Sequence, residues 1–438
     1  MGKRSPGAPG EGGQRGWRRR RVLATAGATT MGALAGCQSG SDDTGMSDRS
    51  DEHESAGTDS GSAEGAATGS RMYRVDAANS GHLSEARGPQ EQPVEKWYEA
   101  RTTISFITPA VADGTVHVGP ELAASDGTVN WDGDFYERSP AIVDGRRYSV
   151  TFTELNTVSL DDTLNEWNYY FTTNPSAPTV VDGVAYLGYE RGQLYALTTP
   201  GEDEEGFQAD GEEVWSFQQP DDPESGLETG TFYAPAVAGD TVYASSPTHL
   251  YALTASDGSQ KWVQTDVTGG VPTVVDGTIY LPAGEKIVAR STTDGSKEWE
   301  SRVGSPNPVA VADGVVYANH NKLHAIDTTD GSVLWQTELP GAASTPGEFP
   351  TQGDSSPDLT SFGPSPPPVV ADGTVYACSG GTISALDAAS GGIQWSYDTN
   401  GTAAWTPAVA DGELYVVVSD ASPMDTDIYG RVVALTEP

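Results

Sequence analysis

Two short patterns recur along this chain, each eight times and half a step apart, and that offset constrains the fold more tightly than composition does. The first is a proline-led strand of small and β-branched residues ending in Asp-Gly or Gly-Asp. It occurs at Pro109/Asp113-Gly114, Pro140/Asp144-Gly145, Pro178/Asp182-Gly183, Pro235/Gly239-Asp240, Pro272/Asp276-Gly277, Pro308/Asp313-Gly314, Pro368/Asp372-Gly373 and Pro407/Asp411-Gly412. The second is a strand tryptophan, at Trp97, Trp131, Trp167, Trp215, Trp262, Trp299, Trp335 and Trp395; only Trp17 and Trp405 fall outside the set. One complete unit, Asn307 to Leu339, reads as four strands: Pro308–Ala312, Val315–Ala318, Lys322–Asp327 and Val333–Leu339, with Asp313-Gly314 and Asp330-Gly331 as turns. Asp-Gly between β-prone runs is a strong hairpin signal. A four-stranded unit this small cannot bury both faces, so it needs neighbours, and a fixed-period repeat supplies them.

The order of the two patterns separates an open stack from a ring. Trp97 precedes the first proline-led strand, and the last proline-led unit runs to the end of the chain with no tryptophan after it. The missing strand of the final unit is therefore Val94–Ala100, predicted to lie beside Val432–Thr436. An open solenoid has no use for such an exchange. Closure of a ring does, because it removes exposed sheet edges. The predicted fold is all-β: an eight-bladed β-propeller of four-stranded antiparallel blades, closed by an N-terminal outer strand.

Ala325-x-Asp327-x-x-Asp330-Gly331-x-x-x-Trp335 and Ala385-x-Asp387-x-x-Ser390-Gly391-x-x-x-Trp395 resemble the tryptophan-docking motif of PQQ-like (quinoprotein-type) β-propeller repeats. Ala252 to Trp262 and Ala289 to Trp299 match with Thr254 and Ser291 in place of the first aspartate. The units of Trp131, Trp167 and Trp215 depart further: Thr163 stands where the glycine belongs before Trp167, and Trp215 follows an insertion. The resemblance covers residues 73–438. It implies that the eight strand tryptophans dock blade on blade, since an indole of roughly 150–250 Å² needs a flat seat of small residues. Met72–Pro93, with Asp76-Ala77-Ala78-Asn79-Ser80-Gly81 and Gly88-Pro89, is similar to the lead-in of PQQ-like propellers in haloarchaeal secreted proteins, and is expected to pack on the ring before Val94.

The quinoprotein resemblance also raises an enzymatic reading, a PQQ-dependent oxidoreductase using PQQ with calcium. The residues do not favour it. No Cys-Cys pair is present, no Asp/Glu/Asn set stands out near the ring centre, and the repeat acids read as turn residues. No catalytic, cofactor-binding or metal residue is assigned, and the expected cofactor is none. His320 and His324 flank a hairpin turn without a third ligand, and Asp420, Asp425 and Asp427 lack the spacing of a calcium loop.

Ahead of the repeats, Arg18 to Leu23 followed by a small-residue run to Gly36 resembles a twin-arginine export signal, with Arg19 and Arg20 as its core. The run is too short and too rich in Ala, Gly and Thr for a membrane span. Leu34-Ala35-Gly36-Cys37 resembles a lipobox; of the two cysteines in the chain, one sits where lipid attachment requires it. Residues 1–36 are thus expected to be a twin-arginine-type lipoprotein signal peptide. Residues 37–71, rich in Ser, Gly, Asp and Glu, are expected to be a disordered acidic tether, and residues 72–438 the propeller. Cys378 is expected to be a small buried strand residue.

A formal charge of −38, from 62 acidic against 24 basic residues, with only six lysines, suggests a halophile's surface on a folded chain. It also leaves no basic stripe for nucleic acid. Connections sort onto two faces: the Asp-Gly turns on one, and the second-to-third turns and inter-blade links on the other. The insertions Gln218–Phe232, Gly341–Pro367 and Ser419–Tyr429 fall on the second, whereas Thr199–Asp210 falls on the first. Long loops carry function disproportionately. The expected protein is therefore an exported monomer, lipid-anchored outside the cytoplasmic membrane, that acts as a non-catalytic binding or scaffold protein. Its expected partner is a cell-envelope protein or small ligand on the insertion-bearing face. With the tether entering through Val94, that face is expected to point away from the membrane.

Overall fold

The computed structural model describes residues 69–101, 107–132, 138–151, 153–160, 166–198, 212–220, 230–265, 267, 269–304, 307–320, 322–341, 366–419 and 430–438. Arg19, Arg20 and Cys37 lie outside them, as do Asp420, Asp425 and Asp427 and most of the four insertions. The described residues form eight antiparallel sheets with four strands in the repeating order and no α-helix; a 3-10 turn occupies Glu190–Gly192. The inner strands of blades 1 to 8 are Ala110–Ala112, Ala141–Val143, Thr179–Val181, Ala236–Ala238, Thr273–Val275, Ala310–Ala312, Val369–Ala371 and Ala408–Ala410. The outer strands of blades 1 to 7 are Val129–Trp131, Glu166–Tyr170, Glu213–Gln218, Gln260–Gln264, Lys297–Arg302, Val333–Thr337 and Ile393–Asp398. Blade 8 takes its outer strand from the other end of the domain. Val94–Arg101 pairs antiparallel with Gly430–Thr436, Val94 opposite Thr436 and Arg101 opposite Gly430. The ring closes as the offset of the two patterns requires.

The turns explain why the pattern is written in Asp-Gly. In seven of the first-to-second turns the aspartate has φ between 44° and 51° and the glycine between 68° and 84°. Both central residues of a type I′ turn need positive φ, and this turn matches the twist of the flanking strands. In the reversed pair Gly239-Asp240 only Gly239 is positive, at 57°, as a type II′ turn demands. The third-to-fourth turns use their acids differently. The carboxylates of Asp126, Asp257, Asp294 and Asp330 each accept the backbone N–H two residues on, at 2.9–3.0 Å. Those bonds, with the side chains of Thr128, Ser259, Ser296 and Ser332, hold the four carboxyls below the ordinary value. These acids fold turns.

The apolar clusters lie between blades. Blades 4 and 5, for example, share Leu250, Ala252, Ile279 and Leu281, and blades 7 and 8 share Tyr376, Trp395, Leu414 and Val433. The seam between blades 1 and 2 is the exception. Its cluster is small, Ala110, Ala112 and Ile142 with Leu160 against them. Charge occupies the rest: Arg147 of blade 2 pairs with Glu121 of blade 1, and the buried His117 ring lies 3.6 Å from the same carboxylate.

Candidate functional site in the ring axis

An inner strand presents an edge to the axis of the ring, and its amides there need partners. The lead-in supplies them, one blade after another. Ser70 accepts from Val111 N of blade 1 at 2.7 Å and donates its own N–H to Val409 O of blade 8 at 3.1 Å. Arg71 O accepts from Ile142 of blade 2 at 2.6 Å, and Ala77 O from Val237 of blade 4 at 2.7 Å. Ala78 O then takes Val274 of blade 5 at 2.9 Å, Ser80 O takes Val311 of blade 6 at 2.8 Å, and Gly81 O takes Val370 of blade 7 at 2.9 Å. Met72 packs against the cluster containing Val180 of blade 3. His82–Leu83 finishes the circuit as a short parallel strand on Val369–Ala371. Residues 69–83 thus travel once around the inside of the ring, visiting the blades in order.

Two polar side chains of this segment reach across the axis. Asn79 Nδ2 donates to Pro235 O at 3.1 Å and to Pro272 O at 3.0 Å. The Arg74 guanidinium is 2 % exposed; it donates to Pro368 O at 3.0 Å and to Val309 O. Together they tie blades 4, 5, 6 and 7. Burial draws Arg74 down to about 10 and pushes the Asp76 carboxyl up, although Ser80 donates to it through both N–H and hydroxyl. Gly81, at φ 67°, is the close approach that makes this packing possible: a Cβ there would stand 2.3 Å from Arg74 Nη2 and 3.0 Å from Ala310 Cβ.

Gly69 bridges Ala410 and Ser70 is fully buried. The circuit corrects one sequence expectation: the described chain enters at the axis, not through the outer strand at Val94. Small residues in Asp76–Gly81 are the signal that could have pointed there, since only a thin segment fits where eight strands converge. The segment begins on the Asp-Gly side, where Gly69 bridges Ala410 next to Asp411-Gly412; beyond Leu83 it crosses that face again, where Arg87 O accepts from Gly412 N at 2.8 Å, before turning into Val94.

The tryptophans sort by their seats. The indole N–H groups of Trp97, Trp215, Trp262, Trp299 and Trp335 donate to Ala124, Ala255, Thr292, Thr328 and Ala388 of the next blade, at 2.7–3.1 Å. Each ring lies against the turn glycine, Gly127, Gly258, Gly295, Gly331 or Gly391, so closely that a Cβ would fall within 2.7 Å of the side chain. Trp395 has no such turn beyond it and donates instead to Pro89 O of the lead-in, at 3.0 Å. Trp167 is buried in the seam between blades 2 and 3. Trp131 departs from the expectation: it is 47 % exposed, with the Arg147 guanidinium 5.2 Å over its ring. The following unit carries Thr163 where a seat needs glycine.

Cys378 is fully buried and its thiol donates to Trp405 O at 3.1 Å; burial pushes its pKa up. Trp405 packs into the seam of blades 8 and 1. His324 Nδ1 donates to Lys322 O, 3.1 Å away, and burial lowers its pKa. Among the described residues no three His, Cys, Asp or Glu side chains converge as a metal site would require.

The family described as outer membrane protein assembly factor BamB matches residues 205–360 and 350–430, more than half of the chain. This chain belongs to that PQQ-like propeller family. Among solved structures, BamB from Moraxella catarrhalis is similar at 15 % identity and a TM-score of 0.54, over 78 % of this chain and 99 % of that one. A quinohemoprotein alcohol dehydrogenase from Comamonas testosteroni is similar at 15 % identity and a TM-score of 0.60, over 84 % and 80 %. The corresponding enzyme ADHIIG from Pseudomonas putida HK5 gives 14 % and 0.58, over 85 % and 81 %. No curated protein sequence matches. At these identities the solved relatives share a fold with this chain, and an assembly factor and alcohol dehydrogenases stand side by side among them.

Proposed function

We propose that this chain is an exported, lipid-anchored propeller that serves as a non-catalytic binding or scaffold protein at the cell surface. The observation that carries this reading is the filled axis. The chain's own lead-in, with Arg74, Asn79 and Gly81, occupies the ring axis, and this supports a reading without a cofactor there. A propeller whose centre is closed by its own chain offers its loops and rims to partners instead. The family's BamB membership and the BamB-like fold support a protein partner in the envelope.

The anchoring half rests on Cys37 and on Arg19-Arg20. A two-chain lipid on Cys37 holds a protein at a membrane stably. The acidic, lysine-poor composition favours a partner met in dense salt, where screening quiets the self-repulsion of −38 charges. The insertion-bearing face, opposite the axial entry of the tether, is the proposed docking side. Fractionation tests the anchor: the wild-type chain is expected in the membrane pellet and Cys37→Ala in the soluble fraction. Crosslinking of the anchored form followed by identification of envelope proteins tests the scaffold. Addition of PQQ with calcium, giving a bound quinone absorbance and alcohol-dependent dye reduction, would overturn it.

A further inference from the structure

Each blade presents to the next a row of four side chains, one from each strand, fixed by cross-strand register. In blade 6 the row is Ala310, Tyr317, Ala325 and Trp335. Tyrosine holds the second place in seven blades, from Tyr148 in blade 2 to Tyr415 in blade 8. Alanine holds the third place in blades 3 to 8, and Thr157 holds it in blade 2. The alanine is small enough for the tyrosine and tryptophan rings to meet over it. Their centroids are 5.9–6.1 Å apart in blades 3 to 8.

Blade 1 breaks this row at two places, and blade 2 breaks the facing surface at a third. The row of blade 1 is Ala110, His117, Glu121 and Trp131. Opposite it stands Arg147, at a register position where the other seven blades have valine, isoleucine, leucine or alanine. The three departures meet. Arg147 donates to Glu121 Oε1, and the His117 ring, 1 % exposed, comes within 3.6 Å of the same oxygen. Glu121 Oε2 has no partner among the described residues. The Arg147 guanidinium, 5.2 Å over the Trp131 ring, takes the place of the missing tyrosine. The other face of the indole is the one that seated tryptophans turn onto a glycine, and here it has no such seat, which leaves Trp131 47 % exposed. A buried ionic set costs stability against well-packed apolar residues. Places where a repeat breaks its own rule at such a cost are where function is expected.

We propose that the outer seam of blades 1 and 2 binds a neutral pyranose sugar, free or at the end of a glycan, stacked on the open face of Trp131. An indole offers a large flat apolar surface to the C–H face of a sugar ring. A carboxylate oxygen accepts hydroxyl hydrogens, and charge-assisted bonds of this kind are the strong ones. Arg147 and His117 hold Oε1, which leaves Oε2 for the ligand. A cation suits the site less, because the charge of Glu121 is already answered by Arg147 and a guanidinium already lies on the ring. An anion would be repelled by Glu121. The site lies on an outer strand, away from the axis, and stands or falls apart from the scaffold reading.

The test is saturation-transfer NMR on the full chain with methyl β-D-glucopyranoside, methyl β-D-galactopyranoside and cellotriose, and with tetramethylammonium chloride as the counter-probe. At least one sugar is expected to bind saturably in the millimolar range. Trp131→Ala should abolish the signal, and Glu121→Gln should weaken binding about tenfold, the loss of one charge-assisted bond. Tyr98→Ala removes another exposed ring with an arginine, Arg431, 6.0 Å over it, and should change nothing. Cellotriose binding above the monosaccharides assigns a glycan chain, and equal affinities assign a single ring. No saturable signal from any of the three sugars overturns the proposal. Tighter binding of tetramethylammonium, the mark of a cation site, overturns it too. So does sugar binding that Trp131→Ala retains while its melting curve shows it folded.

Discussion

Gly331 and Gly314 sit in the same blade with nearly the same backbone, φ 75° and 76°, yet alanine should cost far more at the first. Both substitutions place an L-residue in the left-handed region, a penalty of about 1–2 kcal/mol, partly offset by about 0.4–1 kcal/mol from a stiffer unfolded chain. At 314 the new Cβ meets only Thr328 Oγ1, at 3.7 Å. At 331 it would stand 2.6 Å from Trp299 Cε3 and 2.8 Å from Cδ2, so the indole must move. Overpacking of this kind costs about 1–3 kcal/mol, and the displaced ring puts its 2.7 Å bond to Thr328 O at risk, a further ~0.5–1.5 kcal/mol. Gly331→Ala is therefore expected to be about 2–4 kcal/mol less stable than Gly314→Ala. The two variants are compared by guanidinium unfolding at one high salt concentration, with and without Trp299→Phe. The difference should shrink in the phenylalanine background, since residues in contact are coupled. Equal losses at the two glycines, within about 0.5 kcal/mol, would refute the idea that the tryptophan seat rather than the turn selects glycine at 331.

Three further outcomes follow from the same geometry. Removing residues 1–68 should leave the amides of Val111, Val237, Val274, Val311 and Val370 protected in hydrogen exchange, whereas removing 1–83 should expose all five and lower the melting temperature; protection that survives the longer deletion argues against the axial circuit. Trp395→Phe loses a buried bond to Pro89 O and should cost about 1–2 kcal/mol or more, while Trp131→Phe, at a half-exposed ring, should stay within about 0.5 kcal/mol of wild type; chemical denaturation ranks the pair. Glu121 is held below the ordinary glutamate value by His117 first and Arg147 next. Its contribution is therefore present above the unfolded value and is lost as the pH falls through the lower folded one. Glu121→Gln should remove that part of the acid destabilisation below about pH 4.5, seen as a shallower acid limb in melting curves from pH 6 downwards; an unchanged limb means that the seam does not hold the charge.

Much of the ring was readable because its constraints are local. Asp-Gly suits a hairpin turn whose two central residues both take positive φ, and a tryptophan four residues beyond a turn glycine is a distance set by one hairpin. Even closure was legible, from counting alone: the unit that ends at Leu435 lacks a strand that Val94–Arg101 supplies. What the pattern hid was the axis. Ala77, Ala78 and Ser80 bond to inner strands through backbone carbonyls, and a carbonyl leaves no trace in residue type. Trp131 misled for the opposite reason. Its side chain fits the pattern, but its burial depends on a seat in the next blade, where the sequence has Thr163.

Repeat folds are nearly one-dimensional, each unit holding only its neighbours. This chain escapes that limit with a single stretch of backbone. Residues 69–83 bond to nearly every inner strand, residues 86–90 seat Trp395, and residues 94–101 complete blade 8. The same N-terminal segment therefore closes the ring twice, once around the axis and once at the rim. A pull on residues before Gly69 is first met by Ser70 between blades 8 and 1, and then by Arg74 and Asn79 across blades 4 to 7. The load spreads over the ring instead of peeling one edge strand.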